Sequence, residues 1–289
     1  MTKKVSSLDL SAACSAAGQG VVNEDFFGWT EKAVWVLDGA TGVSDEKLPY
    51  PSDAYWFVRT FSRFLDLELL TTPEASTLDV LNRAVSSMRR KYLEGSISAE
   101  QGLTLAPSAA FVMVRIFENS LEISSLGDCK ALFSDDAGNT RVFYDDSLEP
   151  FENRTLIALR EIRKYNPNLS HAEIIPKLRP FMKENRLKMN QPDGYRILSL
   201  NDISAEDLNT QHICLSSGEY ISLMSDGFLR YTELFQIGDY NNLFDRVRKE
   251  SPSGIIDDIR AAEDADPECR KRLRVKKSDD ATCVVIRLN

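Results

Sequence analysis

The 289-residue sequence predicts an α+β fold with antiparallel sheets. Short apolar runs come in neighbouring pairs joined by tight turns, whereas helical patterns arrive in blocks. A doubly wound fold would alternate strands and helices instead. Gly and Pro, 14 and 11 residues, are scattered along the chain, and no stretch has the composition of a linker. We therefore expect residues 1–289 to form a single domain.

Strands are predicted where apolar runs are bounded by turn residues. They span 10–17, 26–30, 33–37, 108–117, 121–126, 130–133, 195–200, 220–224 and 281–288. The first of these lies in a segment that superficially resembles a signal peptide. Because Asp9 interrupts that segment and no Leu- or Val-rich core follows, a strand is the better interpretation.

Two long helices are predicted between the early strands. Apolar residues follow the i, i+3, i+4, i+7 spacing from Ala54 to Leu65 and again from Leu78 to Tyr92. Ser52 suits the start of the first helix, and Pro73 separates the two. Further helices are expected at 150–190, with a break at 165–169, and at about 240–265. We interpret the charged segment 150–190 as an insertion over one edge of the sheets.

Charge and cysteine content exclude several classes of protein. A net charge of -9 and a pI near 5.0 argue against nucleic-acid binding. The basic run 270–277 is interpreted as a solvated segment before the last strand. Five widely spaced cysteines without a C-x-x-C pair predict neither a disulfide framework nor a zinc site, and favour the cytoplasm. No apolar run approaches the roughly 18 residues of a membrane span.

Histidine chemistry is also disfavoured, because the chain has only two histidines. Neither His171 nor His212 has Cys, Asp or a second His at motif spacing. A His-dependent catalytic triad or a His-rich zinc site would need such partners. The candidate chemistry therefore rests on carboxylates.

An apolar strand ends in Asp-Gly twice, at Asp38-Gly39 and at Asp226-Gly227. An Asp there projects from a rigid strand end, and the Gly is expected to let the backbone turn sharply and to expose its carbonyl to a cation. One Asp-Gly pair is typical of a turn. Two pairs that follow hydrophobic strands indicate a site.

Further carboxylates are predicted to join these two. A two-residue turn at 31–32 would place Asp25, beside Glu24, directly opposite Asp38. Asp279 and Asp280 precede the last strand, which shares the same edge if it runs antiparallel to a strand ending in Asp38 or Asp226. Asp128 lies between two strand runs and is a further candidate.

A cluster with only oxygen ligands selects hard cations, Mg²⁺ or Mn²⁺, with Ca²⁺ as an alternative. Two such ions that share one Asp would activate a water and clamp the oxygens of an in-line displacement at phosphorus. The sequence thus favours metal-dependent hydrolysis of a phosphate ester.

At this point the sequence resembles the 2C-type metal-dependent serine/threonine protein phosphatases, of the bacterial kind, along most of its length. The matching segments, in family order, are 23–25, 36–42, 127–128, 224–227 and 278–282. The resemblance implies a four-layer αββα sandwich of two antiparallel sheets flanked by helices. It also implies a variable flap, here at about 145–210, that shapes access of a phosphorylated protein substrate.

The resemblance further implies a role for each matching residue. Asp38 would bridge two Mg²⁺ or Mn²⁺ ions, the Gly39 carbonyl would bind one, and Asp226 and Asp279 would complete the other. Asp128 would hold a third, weaker ion. Glu24, Asp25 and Asp280 would surround the direct metal ligands, where Glu24 and Asp25 would order metal-bound water.

Two departures from the family concern the substrate side of the site. Gly20 occupies the position of the Arg that usually grips phosphate, and Ala40 that of a His found in many eukaryotic members. Lys130 or Arg230 would be a substitute for the Arg. Without it, two alternatives to a signalling phosphoprotein phosphatase stay open: a non-catalytic sensor or binding module with the phosphatase fold, and a hydrolase of a small phosphorylated metabolite.

Overall fold

The computed structural model describes residues 5–42, 48–95, 103, 106–117, 120–135 and 137–289. Two five-stranded antiparallel sheets organise these residues. The strands are β1 (Leu8–Ala16), β2 (Asp25–Trp29), β3 (Ala33–Ala40), β4 (Ser108–Phe117), β5 (Ser120–Leu126), β6 (Lys130–Ser134), β7 (Thr140–Phe143), β8 (Asn209–Ile213), β9 (Tyr220–Met224) and β10 (Ala281–Leu288). The helices are α1 (Asp53–Thr71), α2 (Thr77–Gly95), α3 (Glu149–Tyr165), α4 (His171–Arg186), α5 (Asp226–Leu229), α6 (Tyr240–Lys249) and α7 (Pro252–Asp264).

The first sheet has the order β2-β3-β4-β5-β8, and the second has the order β1-β10-β9-β6-β7. Alternation along the strands sends successive side chains to opposite faces of each sheet. In β3, Val34 and Val36 face the second sheet, whereas Trp35 and Leu37 pack against α1 and α2. Each sheet is therefore buried on both faces.

The second sheet repeats this arrangement. Val284 and Ile286 of β10 pack between the sheets, and Cys283 and Val285 pack against α5, α6 and α7. The layer order is helices, sheet, sheet, helices. The expected αββα sandwich is confirmed.

The helix boundaries follow local sequence signals. Ser52 caps α1, where its hydroxyl accepts the Tyr55 N–H at 3.0 Å. Pro73 lies between α1 and α2, and the break predicted at 165–169 separates α3 from α4. No helix in the described part of the chain is long and apolar enough to cross a bilayer.

The structure differs from the predicted strands at three places. Residues 195–200 form no strand, because their backbone makes only isolated bridges. Tyr195 and Ile197 pack in a small cluster with Met189, whereas Leu198 and Leu200 pack in the core beneath α1 and α2. The edge strands β7 and β8 were not predicted. The sequence of β8, Asn-Thr-Gln-His-Ile, is mostly polar and its middle residues are exposed, so it lacks the apolar pattern that predicts a strand.

Candidate metal centre

The β2–β3 hairpin sets the first pair of carboxylates. Trp29 pairs with Val34, and the Thr30 N–H donates to the Ala33 carbonyl at 2.7 Å, which closes a two-residue turn. Counting back from this turn, Asp25 is the register partner of Asp38. The predicted juxtaposition is confirmed.

The second sheet contributes its carboxylates at the same edge. β9 ends at Met224, which pairs with Cys283 near the start of the antiparallel β10. Asp226 then opens α5, and Asp279 directly precedes β10. The predicted edge-sharing of Asp226 and Asp279 is confirmed.

Ser225 joins the two sheets at this edge. Its hydroxyl accepts the Thr282 N–H at 2.9 Å and donates to Asp25 Oδ2 at 2.7 Å. Ser225 is fully buried, so both bonds are shielded from water. The hydroxyl thereby fixes the Asp25 carboxylate of the first sheet against the second.

The two glycines are required for close approach, which corrects the expected sharp turns. Gly39 lies within β3, and a Cβ there would meet the Glu24 carbonyl oxygen at 2.6 Å. Gly227 lies in α5, and a Cβ there would meet the Asp280 carbonyl oxygen at 1.8 Å. Each glycine lets another site segment lie against the Asp that precedes it.

Asp280 and Glu24 fix the segment that enters β2. The Asp280 carboxylate accepts the Gly18 N–H at 2.7 Å and the Glu24 N–H at 2.6 Å. The Glu24 carbonyl accepts the Gly39 N–H at 3.2 Å, and its carboxylate accepts the Thr41 hydroxyl at 3.1 Å. Asp280 therefore acts through the backbone, and Glu24 lies directly over the end of β3.

The electrostatics of the cluster favour a bound cation. Burial, and then the Asp25 and Asp226 carboxylates, raise the pKa of Asp38 well above its usual range. Burial also raises the pKa of Asp25 to about 8 and that of Asp226 above its ordinary value. Asp25 is 1% exposed, and its Oδ1 has no hydrogen-bond partner. An orphaned buried oxygen among like charges fits a hard cation bound by oxygen ligands.

Asp128 reaches the cluster from the link between β5 and β6, which carries the chain from the first sheet to the second. One carboxylate oxygen each from Asp128, Asp226 and Glu152 lie within 4.8 Å of one another. Burial and Asp226 raise the pKa of Asp128 to about 7. These three carboxylates would hold a further cation. The sequence did not predict a role for Glu152, because its pattern does not distinguish a ligand from an ordinary solvent-facing Glu on an amphipathic helix.

Asp279 is engaged by two cationic side chains. Its Oδ2 accepts Arg230 Nη2 at 2.9 Å, and its Oδ1 accepts Lys276 Nζ at 2.6 Å. A cation that binds Asp279 shares this carboxylate with both. The direct ligand role of Asp279 stays a prediction.

The basic run 270–277 is not a simple solvated segment. Arg274 is buried and donates to the Asp266 carboxylate at 2.9 Å. The Val275 carbonyl lies 2.8 Å from the His171 imidazole, so the run contacts the start of α4. The segment therefore connects the helices of the insertion to the carboxylate cluster.

A cavity of about 680 Å³ opens over the cluster. It is lined by cluster carboxylates, including Asp38, Asp128 and Asp226, and by residues of the insertion, including Phe151, Glu152 and Arg186. Arg186 donates to the Ala106 carbonyl at 2.9 Å and to the Ala40 carbonyl at 3.4 Å. This contact ties the insertion to the end of β3.

Gly20 is exposed, and its neighbour Gln19 donates its N–H to the Ser278 carbonyl at 3.2 Å. The loop that contains Gly20 thus runs beside the basic segment. Lys130 and Arg230, the proposed substitutes for the missing Arg, both line the cavity. Each already has a carboxylate partner: Lys130 lies 2.7 Å from Glu233, and Arg230 lies 2.7 Å from Glu263.

Known structures resemble this fold along its whole length. The PPM serine/threonine phosphatase MsPP from Mycobacterium smegmatis, in complex with cacodylate, has a TM-score of 0.55 at 17% identity and covers 99% of this chain and 100% of its own. The serine/threonine phosphatase Stp1 from Staphylococcus aureus has a TM-score of 0.55 at 12% identity, and the match covers 100% of this chain and 98% of Stp1.

The catalytic domain of the serine/threonine phosphatase PstP, in complex with two manganese ions, gives a TM-score of 0.52 at 14% identity, with 98% of each chain covered. No protein-family model and no curated protein matches the sequence. The likeness is therefore one of structure, and it shows that this chain has the fold of the PPM-type, or 2C-type, serine/threonine phosphatases.

Proposed function

We propose that this protein is a Mg²⁺- or Mn²⁺-dependent phosphatase that hydrolyses phosphoserine and phosphothreonine monoesters in proteins. The observation that carries the proposal is the meeting of Asp25 and Asp38 from one sheet with Asp226 from the other, beside a cavity and with an unpartnered Asp25 oxygen. Clustered buried carboxylates of this kind are stable when a cation offsets their charge.

The chain supplies ligands for two ions in Asp38, the Gly39 carbonyl, Asp226 and Asp279. Asp128 and Glu152, with Asp226, are the proposed ligands of a third ion. When bound, the cations supply the Lewis acidity that activates water and offsets charge on the phosphoryl oxygens. Because every ligand is an oxygen, Mg²⁺ and Mn²⁺ suit the site better than Zn²⁺.

The remaining residues position and shield the reactants. Asp25 Oδ1, held by the Ser225 bond to its partner oxygen, accepts a hydrogen bond from water at the cluster. Glu24 does the same from the end of β3, where Thr41 orients its carboxylate. We propose that the segment 145–210 acts as the flap, since residues of its helices α3 and α4 line the cavity together with the cluster carboxylates.

The substrate class is supported by the similar structures, which are described as serine/threonine phosphatases. The reduced state of all five cysteines in the structure suits the cytoplasm, where we place the protein in phosphoprotein signalling.

The proposal is tested by hydrolysis of p-nitrophenyl phosphate and of phosphoserine peptides in Mn²⁺, in Mg²⁺ and in excess chelator, with Asp38→Asn as the inactive control. We expect turnover with either metal and none in chelator. Undiminished turnover in chelator excludes metal-dependent catalysis. Metal binding without hydrolysis of any ester identifies a non-catalytic module, and preference for small phosphorylated metabolites over peptides identifies a metabolite hydrolase.

A further inference from the structure

Phosphate recognition in this cavity requires a positive side chain with donors to spare, because the carboxylate cluster repels a phosphate dianion. This inference rests on the proposed function. The cationic side chains that line the cavity are Lys130, Arg186, Arg230, Arg274 and Lys276. Their partners decide which of them is available.

Two of the arginines are structural. Arg230 is buried and forms ion pairs with Glu263 at 2.7 Å and with Asp279 at 2.9 Å. Arg274 is buried and divides its donors between the Asp266 carboxylate and backbone carbonyls, including that of Lys277 at 2.9 Å. Redirecting either guanidinium would leave a buried carboxylate without its partner, which is costly.

Two further cations are excluded by burial rather than by the number of their partners. Lys130 is buried, lies 2.7 Å from Glu233, and has its ammonium 3.8 Å from the centre of the Tyr144 ring. Arg186 is buried and donates through Nη2 to the Ala106 and Ala40 carbonyls, so it holds the insertion against β3. Its Nε has no partner among the described residues, but that atom is itself buried and not accessible from the cavity.

Lys276 differs from the other four. Its side chain is 45% exposed, and Asp279 Oδ1 is its one hydrogen-bond acceptor among the described residues. An ammonium group has three N–H donors, so two remain for a ligand. Asp279 also holds the ammonium beside the cluster instead of letting it extend into solvent.

The backbone that carries Lys276 is well placed for this role. The Lys277 N–H donates to Gln19 Oε1 at 3.1 Å, and the Ser278 carbonyl accepts the Gln19 N–H at 3.2 Å. The segment therefore runs alongside the loop that contains Gly20, whose residues 18–23 include no Lys or Arg. On the other side, Leu273 and Val275 pack against the apolar cluster of α3 and α4.

We propose that Lys276 is the residue that binds the substrate phosphate in this cavity, with Asp279 as the group that positions its ammonium. A phosphoryl oxygen accepts one of the free N–H donors, and the ion pair with Asp279 is kept. The phosphate thus approaches the cluster from the side of the basic segment 270–277.

The experiment compares Lys276→Met with Lys277→Met, a matched change in the same segment whose ammonium contacts Asp264 at 3.4 Å. KM and kcat for p-nitrophenyl phosphate and the Ki of inorganic phosphate are measured at saturating Mn²⁺. We expect Lys276→Met to raise KM and Ki roughly 10-fold and to change kcat less, because a charge-assisted hydrogen bond is lost in both ground and transition states. Lys276→Arg should restore most of the affinity, and Lys277→Met should resemble the parent protein.

Unchanged KM and Ki in a folded Lys276→Met variant would overturn the proposal. So would a loss confined to kcat, or a KM effect that is present at limiting Mn²⁺ and absent at saturating Mn²⁺, because each shows that Lys276 acts only through the metal site. If the parent protein hydrolyses no ester, the proposed function fails. Calorimetric binding of inorganic phosphate to the Mn²⁺-loaded proteins then decides whether Lys276 binds phosphate. Weaker binding to Lys276→Met than to Lys277→Met supports the phosphate site, and equal binding overturns it.

Discussion

Asp25 faces Asp38 across the β2–β3 hairpin with Asp226 close by, and the Asp25 carboxylate that Ser225 holds from one side is left with a free oxygen on the other. Opposed like charges normally weaken a pair of strands. Here the hairpin instead positions its carboxylates to share a proton or a metal cation. The stability of the protein should therefore depend on pH and on metal.

The first prediction concerns pH and metal. Burial raises the pKa of Asp25 to about 8 and that of Asp128 to about 7, against about 3.9 for an unfolded Asp. Between about pH 4 and pH 8 the metal-free folded state therefore binds more protons than the unfolded state, and stability falls as pH rises through this window. We expect the Tm of chelated protein to be lower at about pH 8.5 than at about pH 6.

Saturating Mn²⁺ should raise the Tm most at the higher pH, because it binds the deprotonated carboxylates of the folded state. Melting curves at both pH values, with and without chelator, check this. Asp25→Asn should flatten the pH dependence of the chelated protein. If the Tm of the chelated protein instead rises with pH, the deprotonation of these buried carboxylates does not destabilise the folded state.

The second prediction concerns the central ligands. Asp38→Asn and Asp226→Asn remove ligand charge but little volume, so each should lower kcat on the order of 100-fold or more without unfolding the protein. Initial rates and circular dichroism are measured on the same samples. Near-parental rates in either variant would place the metal site elsewhere.

The third prediction concerns the insertion. Glu152→Gln removes a charged oxygen ligand from the site formed with Asp128 and Asp226, so it should weaken binding of the cation there. The Mn²⁺ concentration for half-maximal activity should therefore rise several-fold, as it should in Asp128→Asn. Glu161→Gln is the matched control, because Glu161 lies on the same helix and only contacts Lys164 at 3.9 Å. Calorimetric Mn²⁺ titration provides a readout that is independent of turnover. Identical titrations for both Glu variants would remove Glu152 from the site.

The fourth prediction concerns the bond between the sheets. Ser225→Ala leaves the Thr282 N–H without its acceptor and the Asp25 carboxylate without its donor, which should cost about 1–3 kcal/mol of stability. Ser222→Ala is the control, since Ser222 is an equally buried serine of β9 whose hydroxyl has no partner. Chemical denaturation of both variants measures the difference. Equal stabilities would show that the Ser225 hydroxyl does not hold the sheets together.

The fifth prediction concerns Gly20. Its backbone is not left-handed, and a Cβ there would meet the Val22 carbonyl oxygen at 3.1 Å. This contact is relieved when the exposed loop shifts by a few tenths of an ångström, so Gly20→Arg should fold. An added guanidinium beside the basic segment should lower KM for p-nitrophenyl phosphate more than it changes kcat. Kinetics and a melting curve are measured together. A stable variant with unchanged KM would show that this position does not face the phosphate.

Local patterns predicted the elements that carry the cluster. The register of Asp25 and Asp38 follows from one two-residue turn, and the shared edge of Asp226 and Asp279 follows from strand direction. Glu152 and Lys276 have no such local signal. Their roles depend on how the insertion and the basic segment pack over the cavity, which is set by contacts between residues that are distant in the sequence.

The position of β10 has a consequence for the order in which the molecule forms. β10 separates β1 from β9, and it brings the Thr282 hydroxyl to within 2.7 Å of that of Ser15, 267 residues earlier in the sequence. Pairings over such separations are slow to form, because a long loop must close before any contact is gained. Because Asp279 and Asp280 directly precede this strand, we expect the cluster to be completed late in folding. We therefore expect a cation bound there to prolong the lifetime of the native protein by slowing its unfolding rather than by speeding its folding.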